Sequence, residues 1–182
     1  MQRAFGYITI GASAQPLIST TLAAAVAPSI LPDSTQQTTL QVASSAIFVV
    51  KDTVVIGLVS GTSFTNVERA QIVKIPDATH ITVQGLSLTH AANELVVLSI
   101  PVATLSVQSK DGNTGAIGIG TGPGVNLTTG VQLLYKLATV AASAQPNVRD
   151  FTFATGINGI NTSDLWIVGT QNDTYLPSAT IL

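Results

Sequence analysis

Alternation of side chains with period two is the feature that most limits how this chain can fold. Between residues 46 and 102, short runs of apolar Val, Ile and Leu alternate with Thr, Gln and charged residues, and Gly, Pro, Asp and Asn separate the runs. Successive side chains of a strand point to opposite faces of a sheet, whereas a helix needs apolar residues three and four positions apart. The chain is therefore predicted to be all-β.

The middle of the chain is predicted to form a small β-barrel. Residues 46–58 are predicted as strand, turn and strand, and residues 64–75 as one strand that contains a β-bulge. A turn at Pro76 precedes a strand at residues 81–84, and the run at residues 95–102 is predicted to close the same sheet. Several short strands joined by turns are typical of a barrel or a sandwich.

The flanking segments predict two further parts. Residues 1–37 are predicted to be an extended N-terminal segment, residues 38–105 the barrel module, and residues 106–182 a β-sandwich-like module. Residues 131–140 are predicted as a strand, although their leucines could also line one helical face. Residues 175–182, which include a proline, are predicted to be extended or edge-like.

Charge is scarce in this chain. Charged residues make up 9% of the sequence, against roughly 25% in an ordinary soluble domain, while mean hydropathy is +0.46. Low charge weakens the repulsion between molecules, which suits a subunit whose surface is covered by neighbours. We therefore expect a component of an assembly that contacts copies of itself.

The same totals argue against several kinds of partner. Seven Lys and Arg and a net charge of −2 form no basic cluster, so direct nucleic-acid binding is not expected. The most apolar stretch, residues 17–31, is interrupted by Ser, Thr and Pro and is shorter than the roughly 20 residues of a membrane helix. Neither a membrane span nor an export signal is expected. Without cysteine, disulfides and thiolate chemistry are excluded.

Each candidate for a catalytic or metal site lacks a second or third residue that the chemistry requires. The alternating glycines at residues 118–124 are followed by neither a helix nor a Lys-Ser pair, so a structural loop is predicted there rather than a phosphate site. His80 and His90 could face each other across a hairpin. Glu68 and Glu94 are the only further ligands, and their spacing fits no metal cluster. Turn or edge histidines are predicted instead, with His90 bonding the local backbone.

No catalytic, cofactor-binding or metal-binding residue is therefore predicted, and the chain is not expected to be an enzyme. Trp166 lies inside an apolar run and is predicted to anchor a core, with an interface role as the alternative. Glu68 and Arg69 interrupt an apolar strand and are predicted to lie on a solvent-facing edge, with pairing to a neighbour's charges as the alternative.

Three motifs follow one another in the middle of the chain. They are Asn-Val-Glu-Arg-Ala-Gln-Ile-Val at residues 66–73, Ala-Thr-His-Ile-Thr-Val at 78–83 and Leu-Thr-His-Ala-Ala-Asn-Glu-Leu-Val at 88–96. In this order they resemble the small β-barrel module of virion proteins in tailed bacteriophages. Asn93 stands where that module often has glycine, a change that a left-handed turn tolerates. Phage head-decoration or spike β-sandwiches have a similar residue pattern to residues 116–134 and 161–178.

The resemblance implies a structural virion protein, made in the host cytoplasm and located on the capsid exterior. Within that class it favours a cement or decoration protein that binds the major capsid protein and stabilises the shell. A head-tail junction or tail component is the alternative, and a receptor- or glycan-binding module is an alternative of another class. We expect the contacts in the N-terminal segment and the C-terminal tail, at Gln15, Pro16, Leu17, Ile30, Leu31, Tyr175, Leu176 and Leu182.

Overall fold

The computed structural model describes residues 1–28, 36–110, 113–127, 135–137, 148–152 and 160–182, with the backbone alone at 135–137 and 148–152. These residues form sixteen strands and one short 3-10 helix, and every strand pair is antiparallel. The all-β prediction is confirmed. Within this part of the chain, no helix has the length and apolar character that crossing a membrane requires.

The elements follow one another as β1 (Gln2–Ala4), β2 (Ile8–Thr9), β3 (Gln15–Pro16), β4 (Ser19–Thr21), β5 (Gln37–Gln41), β6 (Thr53–Ser60), β7 (Ser63–Asp77), β8 (His80–Gln84), β9 (Leu95–Leu98), β10 (Pro101–Ser109), β11 (Ile117–Thr121), β12 (Tyr135–Leu137), β13 (Val148–Thr152), β14 (Ile160–Asn161), the 3-10 helix (Thr162–Asp164), β15 (Leu165–Val168) and β16 (Thr174–Ile181).

The chain divides into two compact units. The barrel unit is Ser19–Ile100, and the split unit combines Met1–Ile18 with Pro101–Leu182. These limits differ from the predicted boundaries after residues 37 and 105, because β1 and β2 pair with β16, and β3 pairs with β15. The first eighteen residues therefore belong to the same unit as the C-terminal half of the chain.

The barrel unit is one curled sheet in the order β4-β9-β6-β7-β8-β5. Its curl brings the two outer strands together, since Leu22 after β4 bridges Val42 after β5. Inward-facing aliphatic side chains from all six strands or their ends fill the interior, among them Leu22, Leu40, Val54, Ile56, Ile72, Ile81, Val83, Val96 and Leu98. Buried and exposed residues alternate in β5 and in the middle of β7, whereas β6, β8 and β9 also bury residues of the opposite face, namely Val55, Thr82 and Val97.

Two local predictions for this unit need correction. Residues 46–50 form turns rather than a strand, because Asp52 accepts a hydrogen bond from the Val49 amide (2.8 Å) and closes a tight loop. The run at residues 95–102 is not continuous. Leu95–Leu98 pairs with β6 as predicted, but from Pro101 onward the chain belongs to the split unit.

The split unit contains two sheets. One has the order β1-β16-β10-β13, with β2 pairing β16 and β14 pairing β10, and the other has the order β12-β11-β15-β3. Trp166 in β15 is buried, as predicted for a core residue. Gly118 and Gly120 lie within β11, so the glycine-rich stretch begins as a paired strand and not as the predicted loop.

Strand β16 is an inner strand, which corrects its predicted edge position. It pairs with β10 on one side and with β1 and β2 on the other. Pro177 is tolerated there because its carbonyl accepts the Phe5 amide beyond the end of β1. In an antiparallel strand the N–H and C=O of one residue point to the same side, so the missing N–H costs no bond to β10.

The Tyr175 hydroxyl ties the two ends of the split unit together. It is fully buried and donates to the Leu17 carbonyl at 2.8 Å. Burial raises the pKa of Tyr175 above its ordinary value, so the hydroxyl remains a donor.

Replacing Tyr175 with phenylalanine removes this donor and leaves the buried Leu17 carbonyl unpaired. We expect Tyr175→Phe to lower the free energy of unfolding by about 1–3 kcal/mol, the cost of an unsatisfied buried polar group. Urea denaturation followed by Trp166 fluorescence measures the loss. Tyr7→Phe is the matched control, because Tyr7 is 57% exposed. Equal stability of the two variants would contradict the assigned role.

Candidate functional site

Strand β7 is far longer than its neighbours. It has fifteen residues, whereas its neighbours β6 and β8 have eight and five, and β9, on the other side of β6, has four. Strand β9 pairs with β6 only through Val54–Gly57, and β8 pairs with β7 only from Gln71 onward. Beyond these points, among the strands that the structure describes, β6 and β7 pair only with each other. Residues 57–67 therefore leave the sheet as a two-stranded ribbon, which we call the projecting hairpin.

Two glycines shape the projecting hairpin. Gly61 has φ +61° at the tip, a conformation that residues with a β-carbon rarely adopt. At the base, a β-carbon on Gly57 would lie 2.9 Å from both the Phe64 ring and the Thr65 carbonyl oxygen. The absence of a side chain at Gly57 thus lets the Phe64 ring pack directly on the opposite strand.

The projecting hairpin exposes apolar side chains without any charged residue beside them. Leu58 and Val67 are each 46% exposed, and Val59 and Phe64 are half-buried. Residues 57–67 contain no Asp, Glu, Lys or Arg. Proteins usually protect a free strand edge with charge, proline or a covering element. An uncharged apolar ribbon is typical of a surface that contacts another protein.

A β-bulge lies at the base of the projecting hairpin, as predicted for this strand. Ile56 pairs with Glu68 and Leu58 pairs with Thr65, so Asn66 and Val67 together oppose Gly57. Asn66 takes a left-handed conformation with φ 52°, and its amide nitrogen donates to the Thr89 carbonyl at 3.1 Å. A bulge bends a strand and redirects its side chains.

Glu68 belongs to a polar group with three other residues, which we call the anchor cluster: Asn66, Glu68, His90 and Glu94. His90 and Glu94 are buried, Glu68 is half-buried and Asn66 is exposed. Nδ1 of His90 lies 2.6 Å from the Glu94 carboxylate, and Nε2 lies 3.3 Å from that of Glu68. Glu68 also accepts the amides of Ser87 (2.7 Å) and Leu88 (2.9 Å) and the Ser87 hydroxyl.

Two predictions about these residues are corrected by the anchor cluster. The Glu68 side chain is not on a solvent-facing edge, because it lies on the same face as buried Ala70 and contacts the 87–90 segment. His90 was predicted to bond the local backbone, but its backbone pairs with the distant Val26, and its ring is fully buried and contacts two carboxylates.

Both carboxylates of the anchor cluster are held in their ionised form. Burial by itself raises the pKa of Glu68, but hydrogen bonds from Ser87, Leu88 and His90 outweigh it, and the pKa lies below 4.5. Burial likewise raises the pKa of Glu94, and hydrogen bonds from the Ala91 amide and the His90 ring lower it below 4.5. The group is thus an ionic connection between β7 and the 87–94 segment.

His80 belongs to a separate, exposed site. Its Nδ1 lies 2.9 Å from the Asp77 carboxylate, which also accepts the Thr79 amide at 2.7 Å. The Thr79 amide and then the His80 ring lower the pKa of Asp77 to about 2. The two histidines therefore do not face each other. Among the described residues, no group of three or more His, Asp and Glu is arranged to hold a metal ion.

The predicted contact residues occupy varied environments. Gln15 is half-buried, and its side chain bonds the Gly11 amide and the Thr9 carbonyl. Leu176 is also half-buried, whereas Leu182 is 59% exposed. Ile30 and Leu31 lie outside the described residues. Three of the predicted contact residues are instead buried in the split unit: Pro16, Leu17 and Tyr175.

Sequence reasoning missed the projecting hairpin and the anchor cluster. The uncharged run at residues 57–67 is the one signal in the sequence that could have indicated the hairpin. The cluster has no such signal, because its members lie up to 28 positions apart and meet only through strand pairing.

Asn66 combines a conformational and a hydrogen-bonding role, and two substitutions separate them. We expect Asn66→Gly to lower the free energy of unfolding by about 1 kcal/mol, because the side-chain contacts with the Thr89 carbonyl and the His90 ring are lost while the left-handed conformation is kept. Asn66→Ala should cost about a further 1 kcal/mol, since alanine is strained in the left-handed conformation. Urea denaturation monitored by circular dichroism measures both. An alanine variant as stable as the glycine variant would disprove the strain at the bulge.

Comparison with known proteins identifies no relative. No protein-family model matches this chain, and no characterised protein or solved structure matches it significantly. The projecting hairpin and the anchor cluster therefore carry no family assignment.

Proposed function

We propose that this chain is a structural subunit of a phage virion. It acts as a cement or decoration protein that binds the major capsid protein on the exterior of the shell and contacts copies of itself. The observation that carries the proposal is the projecting hairpin, which exposes Leu58 and Val67 on a ribbon without charge. The charge-poor composition of the whole chain supports it, because such a surface is better suited to an assembly than to a free monomer.

The contact mechanism follows from the open edges of the ribbon. An extended segment of a neighbouring subunit can pair with the backbone of residues 57–67, while Leu58 and Val67 bury apolar surface against it. Each contact of this size is modest. Many copies on one shell act together, because subunits that are already bound hold their neighbours at a high effective concentration. The exposed Leu182 is a further contact candidate.

A head-tail junction or tail component would use the same projecting hairpin differently. Subunits of a junction form closed rings, so they assemble into a discrete oligomer in solution. A decoration protein needs the lattice of the shell before it multimerises. Sedimentation of the isolated chain separates the two, because a monomer that binds shells favours decoration and a stable ring favours the junction.

A polar groove in the split unit favours a glycan-binding module as a second candidate. The groove has a volume of about 340 Å³ and is lined by hydroxyl and amide side chains, chiefly Gln2, Thr104, Ser106, Ser178 and Thr180. Neutral donors and acceptors of this kind can bind sugar hydroxyls. Aromatic stacking contributes little there, because Trp166 and Tyr175 are buried. Binding to a glycan array that Thr180→Val abolishes would support this candidate.

The location of the chain in a particle tests the primary proposal. Cryo-electron microscopy of particles from cells that produce the chain should show it bound to the outside of the shell at many equivalent positions. Recovery of the chain only as a free monomer, in gradients that contain intact shells, would refute the proposal.

Charge placed on the projecting hairpin should weaken binding to the shell. With shells prepared without the chain, we expect the double variant Leu58→Asp, Val67→Asp to lose at least about tenfold in affinity, equivalent to about 1.4 kcal/mol. Co-sedimentation at increasing chain concentration measures the affinity. Val50→Asp is the matched control, because Val50 is 48% exposed in a different loop of the same unit. Equal affinity of the two variants would exclude the hairpin as the docking surface.

A further inference from the structure

The anchor cluster places charge where this chain otherwise has almost none. The chain has only nine acidic residues and two histidines. Two of the acidic residues, Glu68 and Glu94, meet one of the histidines, His90, in this group. The exposed fraction of the side chain is 0% for His90, 6% for Glu94 and 10% for Glu68. Buried ion pairs cost solvation that apolar packing of similar volume avoids, so stability alone does not explain them.

We propose that the anchor cluster is an acid-sensitive latch, which holds the projecting hairpin to the 87–94 segment at neutral pH and releases it when the carboxylates take up protons. The proposal deepens the proposed function and rests on it for its biological meaning, because the latch controls the surface assigned to the shell. Its physical part concerns the isolated chain alone.

The Glu68 carboxylate forms the connection between the hairpin and the segment. It accepts four contacts: the Ser87 amide, the Ser87 hydroxyl, the Leu88 amide and Nε2 of His90. An ionised carboxylate has lone pairs for all four, whereas a protonated one turns one oxygen into a donor. Protonation of Glu68 therefore breaks part of the connection at the base of the hairpin.

Glu94 forms the other half of the latch. Its carboxylate accepts Nδ1 of His90 at 2.6 Å and the Ala91 amide at 3.1 Å. Its backbone carbonyl accepts the Leu22 amide, so the same residue is also held to the segment that follows β4. Protonation of Glu94 removes the acceptor that orients the His90 ring toward Glu68. The two carboxylates thus act on the hairpin through one imidazole.

Few other charged groups can influence this latch. Strand β7 supplies Glu68, and the 87–94 segment supplies His90 and Glu94. The other elements in contact, β6, β9 and residues 19–28, contain no titratable side chain. Arg69 is exposed, and its guanidinium lies 3.3 Å from the Ser99 hydroxyl rather than in the cluster. Asp77 and Lys74, further along β7, are exposed as well.

The direction of the pH dependence follows from the two glutamates. Both have a pKa in the folded chain below the ordinary 4.5. A carboxylate whose pKa is lowered by folding contributes stability that is complete above its unfolded pKa and is lost as the pH falls through its folded pKa. The latch is therefore closed at neutral pH and opens in acid, as the pH falls through the lowered pKa values of the two glutamates.

Hydrogen exchange of the isolated chain tests the latch without any shell. Amide protection of residues 57–67, corrected for the intrinsic pH dependence of exchange, should fall by at least about tenfold between about pH 6 and about pH 3, while β5 and β8 stay protected. Unchanged protection of the hairpin over this range would overturn the proposal. Loss of protection in β5 and β8 together with the hairpin would also overturn it, because that result is global acid unfolding.

Two variants identify the group that titrates. Glu68→Gln keeps the shape of the side chain but cannot ionise, so the hairpin should be poorly protected at every pH. Asp77→Asn is the matched control, because it removes the exposed carboxylate beside His80 and should leave the wild-type response intact. A wild-type pH response in Glu68→Gln would refute the assignment. If that variant does not fold, Glu94→Gln provides the same comparison. These exchange experiments do not involve shells. The latch can therefore fail while the proposed function holds, and the proposed function can fail while the latch holds.

Discussion

The left-handed bulge at Asn66 is the local constraint on which the functional features of the barrel unit depend. It places Asn66 and Val67 opposite Gly57, directly before Glu68, which pairs with buried Ile56 on the inner face and contacts the 87–94 segment. The same insertion separates the part of β7 that belongs to the curled sheet from the part that forms the projecting hairpin. One residue outside the regular ladder therefore creates both an exposed ribbon and the buried ionic group at its base.

The projecting hairpin and the anchor cluster each carry an energetic cost, but of different kinds. The projecting hairpin exposes the apolar side chains of Leu58 and Val67 to water, which costs solvation free energy in the isolated chain. The anchor cluster buries charge, which is tolerated because each carboxylate oxygen has at least one hydrogen-bond donor and the imidazole lies between the carboxylates. A ribbon of two strands alone is marginally stable, so the cluster at its base determines how rigidly it is presented.

Local patterns accounted for much of the fold. The alternation of Val, Ile and Thr correctly predicted strands, a curled sheet in the middle of the chain, a bulge in β7 and a buried Trp166. The predictions that failed depended on which strands pair. The C-terminal strand was expected at an edge and lies between β1 and β10, because nothing in its own residues indicates that the first strand of the chain will cover it.

By itself the sequence determined the class of the molecule: an all-β chain with little charge and no thiol chemistry, suited to association. These properties are local or additive, since each residue contributes its own propensity and charge. Only the tertiary structure decided the membership of the two units, the inner position of β16 and the meeting of Glu68, His90 and Glu94. The physical reason is that antiparallel pairing joins residues far apart in the chain, and a single bulge changes which face a side chain occupies.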